Sequence, residues 1–149
     1  MSILSNRCKY GIRAVIYLAL NSGETKKIGI KKISHDLDIP MFFLGKILQN
    51  LAKHKILVST KGPNGGFGLA REPKDITMLD LIEVIDGLDL FNECLIGLKS
   101  CSLKGKDAVP CPTNRKFQPI RDQMHAFFKN ETIENLKNEI VESEGTVGI

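Results

Sequence analysis

Long apolar runs are missing from this 149-residue chain: nowhere does it hold the roughly 18 consecutive apolar residues of a membrane span, and its N-terminus has no apolar core ending in a cleavage site. Both absences lead us to expect a cytoplasmic protein with no membrane partner. Acidic residues are scarce in the first half. Residues 1 to 70 hold eleven Lys and Arg against only Glu24, Asp36 and Asp38, a balance of +8, whereas residues 71 to 149 hold ten against fourteen, a balance of −4. A basic half of this kind suits phosphate, although the same asymmetry also describes an ordinary solvated face, so pattern has to decide. Catalytic motifs are lacking as well: there is no glycine-rich nucleotide loop, and His35, His54 and His125 stand in no motif with a nucleophile. An enzyme is not expected. The 42% apolar content suits one compact unit with its own core.

What is present is helical periodicity followed by a hairpin. Leu4, Cys8, Ile12, Val15 and Ala19 recur at three- and four-residue spacing and predict a first helix ending near Asn21 to Gly23. Ile30, Ile33 and Leu37 mark a short second helix, interrupted at Asp38, Ile39 and Pro40. A third helix is predicted from Met41 to about His54, with Phe43, Leu44, Ile47, Leu48 and Leu51 apolar and Lys46, Gln49, Asn50 and Lys53 polar. Leu57 to Thr60 reads as a strand, Lys61 to Gly66 as a glycine-rich tip, and Phe67 to Ala70 as the returning strand. Directly after a helix-turn-helix, such a hairpin reads as a wing whose tip approaches a sugar-phosphate backbone.

The remainder is predicted to be helical with one break. Thr77 and Asp80 form a capping signal for a helix through about Asp86, closed by Gly87. From Cys94 to Pro112 periodicity vanishes and Cys94, Cys101 and Cys111 gather in a loop, after which Pro112 suits a helix start. Phe117, Ile120, Met124, Phe127 and Phe128 form a stripe that must be buried, within the chain or against a twin; Ile133, Leu136 and Ile140 mark a last helix from about Thr132 to Ser143. The expected fold is therefore mainly α with a small β-wing. Residues 1–75 form a winged helix-turn-helix, and residues 76–149 hold the cysteine loop and a long dimerisation helix, packed as one unit with the first part. A homodimer matches the two-fold symmetry of a palindromic double-stranded DNA operator. In this scheme Phe42, Lys46, Gln49 and Asn50 face base edges, Phe42 against a thymine methyl or the backbone. Lys61, with Asn64 beside it in the wing, meets the minor groove or a phosphate, and Lys31, Lys32, Lys53 and Lys55 neutralise phosphates.

Three segments carry a resemblance: Tyr10-Gly-Ile-Arg-Ala14, Ile39-Pro-Met-Phe-Phe-Leu44 and the wing Lys61-Gly-Pro-Asn-Gly-Gly-Phe67. Together with Ile76-Thr-Met-Leu-Asp-Leu-Ile82 and the cysteine loop, they resemble the Rrf-two type of winged-helix transcription regulators (the IscR/NsrR-like family) over nearly the whole chain. The resemblance implies that Cys94, Cys101 and Cys111 hold an iron-sulfur cluster, 2Fe-2S or 4Fe-4S, whose state sets operator affinity. Thiolates in a loop suit that role; a zinc site, a thiol switch and inert cysteines are the competing readings. Two departures matter. The gap from Cys101 to Cys111 is longer than usual in the family, and Asn114 stands where some relatives place a His ligand. Lys9 and Arg13 occupy the first-helix positions from which other relatives supply a ligand. Cys8 is the other candidate fourth ligand, although its place in the apolar stripe reads as a core thiol. The alternative function is a cluster-free repressor controlled by a partner protein or by direct cysteine oxidation.

Overall fold

The computed structural model describes residues 2–23, 26–96 and 111–143. Its elements are α1 (Asn6–Asn21), α2 (Ile30–Leu37), α3 (Met41–Lys53), β1 (Leu57–Thr60), β2 (Gly66–Leu69), a 3-10 turn (Pro73–Asp75), α4 (Met78–Ile85), α5 (Asp89–Asn92), α6 (Pro112–Asn130) and α7 (Ile133–Glu142). Helix α1 is the hub of the core. Ser5 caps it, accepting from the Cys8 amide at 3.0 Å, while the Ser5 amide and hydroxyl both donate to the Asp86 carboxylate. Of its predicted stripe Cys8, Ile12, Val15 and Ala19 are buried, whereas Leu4 precedes the helix and is half-buried; Ala14, Ile16, Tyr17 and Leu18 are buried too, because α1 packs against α2, α3, α4, α7 and β2. Gly11 permits the tightest of these contacts. A Cβ there would lie 2.4 Å from the Ile85 side chain and 3.2 Å from that of Ile47.

The helix-turn-helix is built on a left-handed residue: Asp38, at φ 52°, ends α2, and the buried Ile39 anchors the turn while its carbonyl accepts from the Ser34 hydroxyl at 2.6 Å. Arg13 ties α1 to this corner by donating to the Leu37 carbonyl at 3.1 Å. Leu44, Ile47, Leu48 and Leu51 turn α3 into the core as predicted, but Phe43 is exposed. The reason is positional: Phe43 lies in the first turn of α3, one step outside the stripe set by Leu44, Ile47, Leu48 and Leu51.

The wing is an antiparallel pair with Leu57 opposite Leu69 and Thr60 opposite Gly66. Its return strand starts one residue earlier than the sequence suggests. Ile28 joins as a third partner, exchanging backbone bonds of 2.9 and 2.8 Å with Phe67, and this draws Gly66 into the sheet. After the wing, α4 begins with the predicted capping box: the Asp80 amide donates to the Thr77 hydroxyl at 3.1 Å and the Thr77 amide to the Asp80 carboxylate at 3.0 Å. The short helix α5 was not expected. Thr77 pairs with Thr132 in an isolated bridge, so α7 is stitched to the start of α4. On α6 the predicted stripe is only partly covered within the chain. Phe128 is buried and Phe117 and Met124 are half-buried, but Ile120 is 48% and Phe127 56% exposed.

Candidate nucleic-acid interface and cysteine loop

The outward side of α3 presents Met41, Phe42, Lys46, Gln49 and Lys53, all exposed. Phe42 is 69% exposed, and Lys46 Nζ lies 4.2 Å from its ring centroid, a cation–π contact that holds the two side chains as one unit with an apolar face and a positive charge. Phe42 and Phe43 meet edge to face at 5.9 Å between centroids. Asn50 departs from expectation. It is half-buried and donates through Nδ2 to the Val84 carbonyl at 3.1 Å, so it docks α3 on α4 instead of facing outward.

Of the basic residues on α2, Lys31 is exposed and makes no ion pair among the described residues, whereas Lys32 donates to Asp36 at 2.8 Å. Asp36 also accepts from the Tyr17 hydroxyl at 2.5 Å and sits 3.3 Å from His35 Nδ1. The bond from Lys32, then those from Tyr17 and His35, hold the Asp36 carboxyl well below the usual carboxylate range. The same bond to Asp36 raises Lys32 above the ordinary lysine value. Lys61, Asn64 and Lys55 are exposed, and Gly62 turns the tip with φ 105°. Sequence reasoning did not single out Lys26, which is exposed two residues before the Ile28 bridge to the wing. Its signal was the Lys26-Lys27 pair. Of the histidines, His35 faces Asp36, His54 Nδ1 lies 2.9 Å from the Asn50 carbonyl and His125 packs edge-on to Phe91 at 5.1 Å.

At the other end of the molecule, Cys94 follows α5 and Cys111 caps α6; both are half-buried. Cys101 lies outside the described residues, as do Gly97, Gly105 and Pro110. Among the described residues no group of three or more His, Cys, Asp or Glu is placed to hold a metal. The chain segments that carry Cys94 and Cys111 are nonetheless joined through Arg121. Its Nη1 donates to Asn114 Oδ1 at 2.5 Å, and its Nη2 donates to the carbonyl of Glu93, the neighbour of Cys94. The chemistry of this donor set fits a thiolate-ligated cluster: Cys94 and Cys111 stand at the two stems of the loop, and the cation that ties those stems suits an anionic group. Cys8 has the opposite character. It is fully buried in α1, and burial together with the nearby Asp86 charge pushes its thiol up to about 12. Lys9 is exposed and Arg13 is engaged with Leu37.

The chain matches the Rrf2 family, described as iron-dependent transcriptional regulators, over residues 4–139. It is 36% identical over 136 residues to a protein of Aquifex aeolicus (strain VF5) named as an HTH-type transcriptional regulator, covering 91% of this chain and 92% of that one. It is 27% identical over 135 residues to the HTH-type transcriptional regulator IscR of Enterobacter sp. (strain 638), covering 91% of this chain and 79% of the relative. Among solved structures, CymR (YrzC), the global cysteine regulator of B. subtilis, superposes with a TM-score of 0.76 at 25% identity, covering 93% of this chain and 98% of that one.

Proposed function

The chain belongs to the Rrf2 family of winged-helix, DNA-binding transcriptional regulators and is not an enzyme, and on that premise we propose that the state of its cysteine loop sets its affinity for a palindromic operator. The observation that carries this reading is that Arg121 ties the two stems of the cysteine loop at the root of α6, through one guanidinium that donates to Asn114, one turn beyond Cys111, and to the carbonyl of Glu93, the neighbour of Cys94. Cys94, Cys101 and Cys111 are the ligands of an iron-sulfur cluster, and the family's iron dependence supports that assignment. Cys8 is assigned as a core thiol, because it is fully buried in α1 among the apolar side chains of the core. The fourth position is therefore open to a small exchangeable ligand.

DNA is engaged as a homodimer. The exposed Ile120 and Phe127 on α6 support a seat for a second copy, since two apolar side chains on one helix face gain by mutual burial. Phe42, Lys46 and Gln49 read base edges, while Lys31, Lys32, Lys53, Lys55, Lys61 and Asn64 position the backbone. The deciding experiment is anaerobic purification followed by an absorption spectrum with iron and sulfide counts. A coloured protein that loses iron and sulfide in each of Cys94→Ala, Cys101→Ala and Cys111→Ala, while remaining a folded dimer, supports the assignment. Full iron and sulfide in all three variants sinks it.

A second reading, direct thiol oxidation without a cluster, is favoured by the likeness to a cysteine regulator and by Asn114 at the position of a possible His ligand. It predicts a colourless protein whose operator affinity changes on treatment with peroxide and recovers with a thiol reductant.

A further inference from the structure

Arg121 is 3% exposed and is the one charged side chain in the core of the described residues. A buried guanidinium is ordinarily matched by a carboxylate, because desolvating an unpaired charge is costly. Here it is not. Its hydrogen-bond acceptors are all neutral: Asn114 Oδ1, Gln118 Oε1 at 3.3 Å and the Glu93 carbonyl, with the Phe117 ring 5.0 Å away. Among the described residues no carboxylate lies within 4.0 Å of it, and its Nε is buried without a hydrogen-bond partner. Glu93 is exposed and offers its backbone instead of its carboxylate. Among the described residues one positive charge and one N–H donor are thus left uncompensated.

The position of those two acceptors says what compensates them. Glu93 is peptide-bonded to Cys94, and Asn114 lies three residues from Cys111, one helical turn along α6. A single side chain therefore bridges the two stems from which the cysteines depart. We propose that Arg121 is the positioning residue of the cysteine loop: it clamps the stems of Cys94 and Cys111 together, and its unmatched charge is completed by anionic sulfur, as bare thiolates or as a thiolate-ligated cluster. This rests on the cysteine-loop reading above. It also accounts for Asn114, whose amide oxygen serves the clamp and is not needed as a ligand.

The test uses the full-length dimer with Arg121→Met, Arg121→Lys and Asn114→Ala, each checked for folding by circular dichroism. In cluster-free protein carrying Cys8→Ser and Cys101→Ser, cross-linking of Cys94 to Cys111 by 1,2-bis-maleimidoethane reads how the stems are held. Arg121→Met should slow the cross-link at least tenfold and Asn114→Ala severalfold. In the protein with all its cysteines and its cluster, Arg121→Met should make reduction at least tenfold less favourable, about 59 mV for one electron, whereas Arg121→Lys and Asn114→Ala keep the charge and the potential. If Arg121→Met does not fold, slower cross-linking with an unchanged potential in both Arg121→Lys and Asn114→Ala carries the same support. Cross-linking rates and potentials equal to the parent's in every folded variant overturn the proposal. A parent that takes up no iron or sulfide, yet cross-links more slowly once Arg121 is replaced, overturns the cluster reading and leaves the clamp standing on its thiolates.

Discussion

Gly66→Ala tests whether the wing depends on its bridge to Ile28. Gly66 has φ 148°, a conformation that costs an L side chain about 1–3 kcal/mol. A Cβ there would also lie 2.3 Å from the Ile28 carbonyl oxygen and 2.5 Å from its carbon, and both atoms are backbone that cannot swing aside. Relieving the clash moves Ile28 and breaks its 2.9 and 2.8 Å bonds to Phe67, at about 0.5–1.5 kcal/mol each. The total is about 2–6 kcal/mol, a large part of the roughly 5–15 kcal/mol that holds a domain together. Gly62→Ala is the control, because φ there is 105° but the space for a Cβ is open. It should cost only about 1–2 kcal/mol. Urea unfolding followed by circular dichroism measures both, and a midpoint that falls with an unchanged slope reports stability alone. Equal losses in the two variants, or a loss below about 1 kcal/mol for Gly66→Ala, would refute the argument that the Ile28 bridge fixes the wing.

Operator binding should weaken with a slope of log K against log salt of roughly −5 to −9 if each subunit neutralises about three to five phosphates, and a salt-insensitive affinity contradicts the assigned face. Lys61→Ala should cost binding about 1 kcal/mol, measured by fluorescence anisotropy on cognate and scrambled duplexes, with equal losses if it meets phosphate and unequal ones if it reads bases. Asp36→Asn should destabilise the fold at neutral pH. Because the folded pKa of Asp36 is depressed, its contribution is present above the ordinary carboxylate value and disappears as pH falls through the folded one; the gap to the parent should therefore close on acidification, and a gap that is constant with pH contradicts the Lys32–Asp36–Tyr17 arrangement. Phe127→Glu should shift the protein from dimer to monomer in sedimentation while leaving its helical content intact; a dimer that persists removes α6 as the seat of the second copy.

Sequence periodicity places α1 to α4 and the wing because each of them shows one apolar face to a common core, and a 3.6-residue stripe, headed by Thr77 in α4, is a local signal. What it missed are features decided by packing between distant segments. Asn50 and Gln49 are both polar residues of α3, and only the arrival of α4 makes Asn50 an internal donor to Val84. Ile28 is a lone apolar residue among lysines and glycine, too short a run to read as a strand, yet Phe67 recruits it into the sheet. In sequence Arg121 is one more polar residue beside Ile120, with no local signal for burial; the extended residue after α5 lays the Glu93 carbonyl on its guanidinium. Cys8, by contrast, was legible: a thiol in register with Leu4 and Ile12 belongs to the core, and there it is.

Helix α3, the proposed recognition helix, and the cysteine loop are served by one stretch of chain. Helix α4 packs against α1, α3 and α6, and the residues that leave its C-terminal end serve both sites in turn. The Val84 carbonyl accepts from Asn50 of α3, the Asp86 carboxylate accepts from the Ser5 cap of α1, and the Glu93 carbonyl accepts from Arg121 of α6. Ten residues therefore carry the anchor of the recognition helix, the cap of the central helix and the stem of the cysteine loop. Phe91 fastens this stretch to α6 through edge contacts with His125 and Phe128 at 5.1 and 6.2 Å. On the proposed function, gain or loss of anionic sulfur at the loop alters what completes Arg121, and the first bond to feel it is the one to Glu93. A shift there has a short covalent route to Asp86 and Val84 through a helix already packed on α3, so coupling needs no long relay across the core. The Asn50–Val84 bond then becomes the informative place to cut: removing it with Asn50→Ala loosens the recognition helix from α4 without touching the cysteines, and separates the DNA-reading surface from the state of the loop.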